Sequence, residues 1–340
     1  MKRVAVHVPH DGSHPTHWSR VWLELNDPRF KFEPLNLLDC DVQSVSQNFD
    51  CILWCVDHYR HEETEIAHIL IEYFENCGLT TFPSSKDFKS FDDKIHQSLL
   101  MASNAIGAPE FHLFYSKTSA LEFSMKAKFP VVFKLTRGSG SHNVKLIPDA
   151  KAYKKCVDAM FGNGMASAPR IGFKISSNLQ SVSSLSDVWH RAKKIPGFIK
   201  NIKSSQSLPR EKGYIYSQAF IENDGFDLKI AIVNNKLSYA CRNVREKDFR
   251  ASGSGSIFYD RTLISDKLID AAKCAYKALE LSCVGLDYVI EVGTGQPFLV
   301  EMCFGFSNVA QYDCGEYYDL LKNEWIEKPL NPAEEVLSIL

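Results

Sequence analysis

Two acidic residues near the end of the chain have the types and spacing expected of a cation site. The stretch "VGLDYVIEVGTGQPFLVEMCF" predicts two antiparallel strands joined by the loop "GTG" at 293–295. If Val292 pairs with Gln296, counting back places Asp287 directly opposite Glu301. Facing side chains lie about 5 Å apart, where two negative charges repel by about 3 kcal/mol at an effective dielectric constant near 20. The pair therefore requires a positive partner.

A divalent cation is one such partner, and two alternatives stay open. Mg²⁺ prefers carboxylate oxygens, keeps several waters and commonly bridges to nucleotide phosphates. The strand register could instead slip by one residue, or lysines could neutralise the two acids at the surface. The apolar residues around Asp287 and Glu301 favour the metal.

Two runs of glycine and serine could each hold an anion. The first is "TRGSGSHN" at 136–143, and the second is "DFRASGSGS" at 248–256. Backbone amides of such runs can approach phosphate oxygens closely, and each run has an arginine beside it. The residue types alone do not decide which run binds phosphate.

Composition excludes several classes of protein. The 340 residues carry 39 Lys and Arg against 41 Asp and Glu, so no global positive field attracts nucleic acid or an anionic membrane. The ten cysteines include no CxxC pair, and Cys51 and Cys55 flank an apolar "ILW" that indicates a strand rather than zinc. No segment resembles a secretory signal or a membrane span. We expect a soluble, cytoplasmic protein without a nucleic-acid partner.

The pattern of elements predicts a fold of the α/β and α+β classes in three parts. Strands alternate with helices over residues 1–91, which predicts a parallel-sheet domain. Residues 92–213 begin with a helix and a hairpin around the first Gly-Ser run, and they include a serine-rich and basic insertion at 158–212. Residues 214–340 contain a hairpin turning at Asn234 and Asn235, a helix and the acidic hairpin.

In the order in which they occur, these motifs resemble the ATP-grasp superfamily. The resemblance covers about residues 80–310 and rests on "FDDKIHQSLLMASNAIGAPEF", "FPVVFKLTRGSGSHNV", "YSQAFI", "VREKDFRASGSGS" and "GLDYVIEVGTGQPFLVEM". The chain is most similar to the ribosomal-protein glutamate ligases and to ligase-like proteins associated with polysaccharide genes. The resemblance implies an N-terminal parallel-sheet (pre-ATP-grasp) domain followed by a two-lobed ATP-grasp fold.

The resemblance also implies an activity and a set of site residues. Family members use ATP to convert a carboxylate into an acyl phosphate, which an amine or similar nucleophile then attacks. ATP and Mg²⁺ are the implied cofactors, with Mn²⁺ as a substitute, and Asp287 and Glu301 are the implied metal ligands. The residues implied at the phosphates are Lys94, Lys134 and the loop Gly138, Ser139, Gly140 and Ser141, and those implied at the adenine are Gln218, Phe220 and Ile221. Asp227 is implied near the ribose, with Glu222 as a competitor. Arg242 and Arg250 are implied at the transferring phosphate, and the alternative for each arginine is a surface ion pair.

The sequence departs from the glutamate ligases at one metal-site position. Cys303 stands where those ligases carry an asparagine two residues after the metal-binding glutamate. Because a thiol is a poor ligand for Mg²⁺, either water or an oxygen such as that of Asn308 would take this place. A nucleophilic Cys303 and a catalytically silent ATP-binding regulator are the alternatives, and a small-molecule kinase is a third.

The implied partners are small-molecule carboxylate and amine substrates, and the resemblance allows a homodimer. The similarity to polysaccharide-associated proteins suggests a sugar acid and a role in modifying cell-surface polysaccharide. Basic residues at 188–203 predict a flap over an anionic acceptor, with a solvated helical face or a weak membrane contact as alternatives.

Overall fold

The computed structural model describes residues 1–9, 16–56, 61–138, 143–166, 210–245, 248–251 and 255–340. The chain divides into two compact units. Unit 1 comprises Met1–Asp57, Glu63–Pro109 and Ile221–Leu340, and unit 2 comprises His58–Glu62 and Glu110–Phe220. The domain boundaries expected near residues 91 and 213 stay predictions.

Strands and helices of both units are numbered along the chain. The strands are β1 Lys2–His7, β2 Phe30–Leu35, β3 Cys51–Leu53, β4 Thr80–Phe82, β5 Phe111–Phe114, β6 Val131–Lys134, β7 Val144–Ile147, β8 Met165–Ala166, β9 Arg210–Glu211, β10 Ile215–Ala219, β11 Phe226–Val233, β12 Lys236–Asn243, β13 Ile257–Phe258, β14 Cys283–Ile290, β15 Pro297–Cys303, β16 Tyr317–Asp319 and β17 Glu324–Ile326. The described helices are α1 His17–Glu24, α2 Val42–Asn48, α3 His61–Asn76, α4 Ser85–Phe88, α5 Lys94–Ser103, α6 Lys117–Ser124, α7 Ala150–Met160, α8 Asp266–Leu279, α9 Asn308–Tyr312 and α10 Pro332–Glu335.

The first sheet of unit 1 is parallel, as the alternation of strands and helices predicted. Its strand order is β2-β1-β3-β4, and each neighbouring pair runs parallel. Val4, Ala5 and Val6 are fully buried because β1 is an inner strand that is covered on both faces. The prediction of an N-terminal α/β region is confirmed.

The second sheet of unit 1 is antiparallel and has seven strands. Its order is β15-β14-β11-β12-β16-β17, and β13 pairs with β12. Leu228 and Ile230 of β11 point to the face where Leu268 of α8 packs, and all three are fully buried. Since side chains alternate along a strand, Asp227 and Lys229 point to the opposite face.

The two hairpins of this sheet were predicted with different success. Asn234 and Asn235 both have positive φ angles (48° and 60°) between β11 and β12, as expected for the turn of a two-residue hairpin. The three-residue loop at 293–295 was wrong, because β14 and β15 pair up to Ile290 and Pro297, one residue away from the predicted register.

A β-bulge corrects this offset before the acidic residues are reached. Tyr288 pairs with Leu299, but the next pair is Asp287 with Glu301, so Val300 is the extra residue. The predicted opposition of Asp287 and Glu301 is therefore observed, although the counting that predicted it contained two compensating errors.

Unit 2 is built on a four-stranded antiparallel sheet of order β5-β10-β6-β7. The hairpin expected around the first Gly-Ser run is present, with Lys134 paired to Val144 at the end next to the loop. Strands β8 and β9 form a separate two-stranded ladder. The flap predicted at 188–203 lies outside the described residues.

Among the described helices of both units, none is both long and apolar enough to cross a lipid bilayer.

Candidate active site

Five charged side chains lie on one face of the antiparallel sheet in unit 1. Asp227 pairs with Arg242 across β11 and β12, Lys229 pairs with Asp287 across β11 and β14, and Asp287 pairs with Glu301 across β14 and β15. Directly paired residues point to the same face of a sheet. The strand registers therefore bring Asp227, Lys229, Arg242, Asp287 and Glu301 together.

Arg242 joins two of the carboxylates. Its Nε and Nη2 donate to the two oxygens of Asp227 at 2.7 and 2.8 Å, and its Nη2 lies 3.0 Å from Oδ2 of Asp287. The side chain is only 13% exposed, so this is a buried ion pair and not the surface pair considered as an alternative. Burial alone would lower the pKa of Arg242, but the charges of Asp287 and Asp227 outweigh it and raise the pKa.

Lys229 is a member of the cluster that the sequence did not reveal. Its ammonium forms an ion pair with Oδ1 of Asp287. Burial opposes ionisation of Asp287, but Arg242 and Lys229 outweigh burial and hold the pKa of this carboxyl below its usual value. The alternating pattern in "FDLKIAIV" is the signal that could have placed Lys229 on the face of Asp227.

Lys94 approaches the cluster from the first turn of α5. Its Nζ lies 3.7 Å from Oε1 of Glu301 and 3.9 Å from Oδ1 of Asp92. These distances indicate electrostatic contacts rather than hydrogen bonds. The Lys94 side chain is 3% exposed, whereas that of Glu301 is 32% exposed, so the glutamate is the member of this pair that a ligand can reach.

Among the described residues, the cluster carries more negative than positive charge. Four carboxylates (Asp92, Asp227, Asp287 and Glu301) face three cations (Lys94, Lys229 and Arg242), which leaves a formal charge of −1 for these seven residues. Burial raises the pKa of Asp227 to about 6, Arg242 opposes the shift, and the charge of Asp287 adds to it. An additional cation would therefore be stabilised here.

The donor set fits a hard divalent cation in part. Carboxylate oxygens of Asp287 and Glu301 are suitable ligands for Mg²⁺, which commonly completes its shell with water and phosphate oxygens. In the described part of the chain, no group of three or more His, Cys, Asp or Glu side chains forms a metal site. A metal ion bound at this cluster would thus have two carboxylate ligands from the protein and would need further ligands from water and from the bound substrate.

The repulsion between Asp287 and Glu301 was expected to require a metal, with neutralising lysines at the surface as an alternative. In the structure Lys229, Arg242 and Lys94 already compensate the two acids, and all three cations are largely shielded from solvent. Opposed carboxylates therefore do not by themselves require a metal here.

Gln97 holds α5 against β15 and so places Lys94 beside Glu301. This buried side chain donates from Nε2 to Ser90 O at 2.8 Å and accepts from Met302 N at 3.2 Å. Met302 follows Glu301 on an edge strand, and Gln97 lies one turn after Lys94 on the same side of the helix. Gln97 therefore fixes both members of the ion pair.

Replacing Gln97 with leucine should lower the free energy of unfolding by about 1–3 kcal/mol, because two buried backbone groups lose their partner. Chemical denaturation measures the loss. The matched control is Gln43→Leu, at an exposed position of α2, which should change stability by no more than about 0.5 kcal/mol. Equal stability of the two variants would contradict a structural role for Gln97.

Arg250 is held by a neighbouring acid. Its Nε lies 2.9 Å from both oxygens of Asp248, and its Nη2 lies 2.5 Å from Oδ2. The Arg245 amide donates to Arg250 O at 3.1 Å, which closes the turn that contains both arginines. Arg250 is thus held in an ion pair, but with the two side chains 15% and 18% exposed it is not the surface pair considered as an alternative. Its role at the phosphate stays a prediction.

The residues expected at the nucleotide lie mostly in unit 2. Lys134 is buried at the end of β6, and Gln218 is buried in β10, where it pairs with Val132 and Phe111. Phe220 directly follows this strand, and Gly138 has a φ angle of 101° that favours glycine. Ser139, Gly140 and Ser141 lie outside the described residues, and Ile221 belongs to unit 1.

Cys303, which stands at the position of the asparagine, and Asn308, which was considered as its substitute, both make local contacts. Cys303 Sγ accepts from Gly305 N at 3.1 Å and shapes the turn after β15. Asn308 is buried, and its Oδ1 accepts from Ala333 N at 2.8 Å. Asn308 therefore ties α9 to the C-terminal segment, and its use as a substitute metal ligand stays one of the two alternatives, with water as the other.

Comparisons with known proteins define the fold. No protein-family model matches the chain, and no curated protein matches it significantly in sequence. Its structure resembles D-alanyl-alanine synthetase A from Vibrio cholerae with a TM-score of 0.62 and 11% identity, covering 99% of this chain and 97% of that chain. A RimK-domain ATP-grasp protein from Sphaerobacter thermophilus gives a TM-score of 0.55 and 13% identity over 90% and 93% of the two chains.

A third similar structure contains nucleotide. The D-alanine–D-alanine ligase from Bacillus anthracis, complexed with ATP, gives a TM-score of 0.54 and 14% identity over 100% of this chain and 98% of that chain. The chain therefore has the ATP-grasp fold that the sequence resemblance predicted.

Proposed function

We propose that the protein is an ATP-dependent ligase that activates a carboxylate as an acyl phosphate and joins it to an amine, with release of ADP and phosphate. The single observation that carries the proposal is the charge cluster of Asp227, Lys229, Arg242, Asp287 and Glu301 on one face of the antiparallel sheet. In an ATP-grasp fold, a cluster with several cations and an excess carboxylate suits a metal-bound triphosphate.

Asp287 and Glu301 are the residues that would hold Mg²⁺, or Mn²⁺ in its place. When bound, such a metal neutralises charge on the terminal phosphates of ATP. Lys229 and Arg242 keep Asp287 ionised, as its lowered pKa indicates, so its carboxylate is available to a cation at neutral pH. The greater exposure of Glu301 makes it the ligand that solvent and substrate reach first.

The cations of the chain would act on the triphosphate and on the reacting oxygen atoms. Lys94 and Lys134 would neutralise phosphate charge, and the amides of the loop at 138–143 would donate to phosphate oxygens. Arg242 is preorganised, since Asp227 binds its Nε and Nη2 and fixes the plane of the guanidinium. Together with Arg250 it would stabilise the transferring phosphoryl group and then the oxyanion.

The proposed reaction requires no general base from the protein. A carboxylate oxygen of the substrate attacks the γ-phosphorus, and the bond to the bridging oxygen of ADP breaks. The amine nitrogen then attacks the acyl carbon, phosphate leaves, and the proton lost by the amine is taken up by the departing phosphate or by water.

Adenine and ribose recognition is proposed for residues in β10 and directly after it in the sequence. Gln218, Phe220 and Ile221 would contact the adenine. Both oxygens of Asp227 already accept from Arg242, which leaves fewer of its lone pairs for a ribose contact. The exposed Glu222 is the better candidate for the ribose hydroxyls.

Small-molecule carboxylate and amine substrates follow from the proposed chemistry. A sugar acid as acceptor, a role in polysaccharide modification, a cytoplasmic location and a homodimer are part of the same proposal, and they rest on the sequence resemblance and composition alone.

Hydroxylamine trapping tests the proposed activity. The wild-type chain, incubated with MgATP, pooled carboxylic acids and hydroxylamine, should release ADP and form a hydroxamate, because hydroxylamine captures an acyl phosphate. ADP release without hydroxamate, together with a phosphorylated alcohol, would indicate a small-molecule kinase. Tight ATP binding with no ADP release from any substrate pool would favour the silent regulator that the Cys303 substitution keeps under consideration.

A further inference from the structure

A carboxylate of unit 2 binds backbone amides at the base of the predicted phosphate loop. Thr136 and Arg137 directly precede Gly138. The Thr136 amide donates to Oε2 of Glu211 at 2.9 Å, and the Arg137 amide donates to Oε1 of the same side chain at 3.3 Å. Glu211 thus accepts hydrogen bonds from two successive amides with both of its oxygens.

Tyr214 completes this cluster. Its hydroxyl donates to Oε2 of Glu211 and lies 2.8 Å from the Thr136 amide nitrogen. Burial first, and the charge of Glu211 second, raise the pKa of Tyr214, so the phenol stays protonated and can donate at neutral pH. The Glu211 carboxylate therefore accepts hydrogen bonds from at least three donors. Hydrogen bonds to an ionised acceptor are stronger than those between neutral groups.

The opposite side of the loop base is fixed as well. Asn143 is buried, and its side-chain Nδ2 donates to Arg137 O at 2.7 Å. The backbone carbonyl of Asn143 accepts from Leu135 N at 3.0 Å. Residues 135–137 and Asn143 form what we call the neck of the loop. The chain that enters the loop is thus bound to the chain that leaves it.

Glu211 is itself held in place by its surroundings. It pairs with Met165 in the β8–β9 ladder, and Gly213 N donates to Met160 O at 2.8 Å. Gly164 has a φ angle of +69°, and a Cβ built there would lie 2.5 Å from Glu211 O, so only glycine permits this close approach of backbones. The position of the carboxylate is therefore determined by the end of α7 and by the ladder.

We propose that Glu211, supported by Tyr214, is a positioning residue that fixes the neck and thereby places the adjacent Lys134 and the amide of Gly138 for binding the ATP phosphates. The inference rests on the proposed function. Loop amides bind phosphate well only when they already point to one place, since otherwise part of the binding energy is used to order them.

Glu211→Gln is the main test, because it keeps the size of the side chain but places an NH₂ group against an amide donor. With trinitrophenyl-ATP and Mg²⁺ as the probe, we expect its dissociation constant to rise about tenfold, and that of Tyr214→Phe to rise about threefold. Glu122→Gln, at an exposed position of α6 in the same unit, should bind as the wild type does. Amide hydrogen exchange at Thr136 and Arg137 should quicken in Glu211→Gln and Tyr214→Phe while the Tm stays unchanged.

Unchanged exchange at Thr136 and Arg137, or wild-type affinity in Glu211→Gln, overturns the proposal. If Glu211→Gln fails to fold, Tyr214→Phe decides by the same two measurements. Failure of the wild-type chain to bind the probe overturns the proposed function instead, and in that case the exchange rates alone show whether Glu211 fixes the neck.

Discussion

Glu301→Gln is expected to reduce ADP formation at least ~100-fold while leaving the fold intact. The amide keeps the shape of the side chain but removes the charge that would face a metal and Lys94. Because the Glu301 side chain is about one-third exposed and lies 3.7 Å from Lys94, its loss should change the Tm by no more than about 2 °C. Turnover is measured as ADP release at saturating MgATP, with Mg²⁺ varied over a wide range.

The control for this variant is Glu324→Gln, which makes the same change at an exposed position of the same sheet, on β17. It should retain wild-type turnover. Excess Mn²⁺ should restore part of the activity of Glu301→Gln if the side chain acts on a metal. Full activity of Glu301→Gln at ordinary Mg²⁺ concentrations would remove Glu301 from the proposed site.

Arg242→Met is expected to have the largest effect on stability, with a loss of about 3–5 kcal/mol in the free energy of unfolding. The substitution leaves Asp227 without its bidentate partner and Asp287 with Lys229 as its remaining ion-pair partner in the described sheet. A buried carboxylate without compensation costs far more than an exposed one. Chemical denaturation at neutral pH measures the loss.

Two further variants separate this explanation from a general effect of losing arginine. Arg261→Met removes a half-exposed ion pair with Glu316 and should cost less than about 1 kcal/mol. Adding Asp227→Leu to Arg242→Met should recover part of the stability, because the unpaired carboxylate is then gone. If Arg242→Met is as stable as Arg261→Met, the buried ion network does not stabilise the sheet as described.

Local patterns predicted the fold well where neighbouring strands are also neighbours in sequence. The Asn234 and Asn235 turn follows directly from residue types that tolerate positive φ angles. The parallel sheet follows from strands that alternate with helices. Neither the longer loop between β14 and β15 nor the bulge at Val300 has such a local signal, so the register predicted next to the loop was off by one residue and the bulge was missed.

The sequence predicted the acidic residues of the charge cluster but only some of its cations. Asp287 and Glu301 lie on one hairpin, and their opposition could be counted. Lys229 and Asp287 lie on strands that are 50 residues or more apart in the sequence, so no local pattern sets their register. The same limit applies to Gln97, whose partner Met302 belongs to a distant strand. Pairing between distant strands is decided by the packing of the whole sheet.

From the hairpin alone, the two facing acids were expected to require a cation. With Lys229, Arg242 and Lys94 included, the cluster is nearly neutral and needs none to fold. Mg²⁺ binding is therefore supported by the remaining negative charge, by the exposure of Glu301 and by the fold. The metal is expected to bind together with its ligand and is not needed for the stability of the sheet.

The proposed metal site can be checked by a crystal structure of the wild-type chain with Mg²⁺ and a nonhydrolysable ATP analogue. We expect a metal ion about 2.0–2.1 Å from oxygens of both Asp287 and Glu301, in contact with the terminal phosphates. Nucleotide bound elsewhere, or bound without a metal while the two acids keep only their pairs with Lys229, Arg242 and Lys94, would rule this site out.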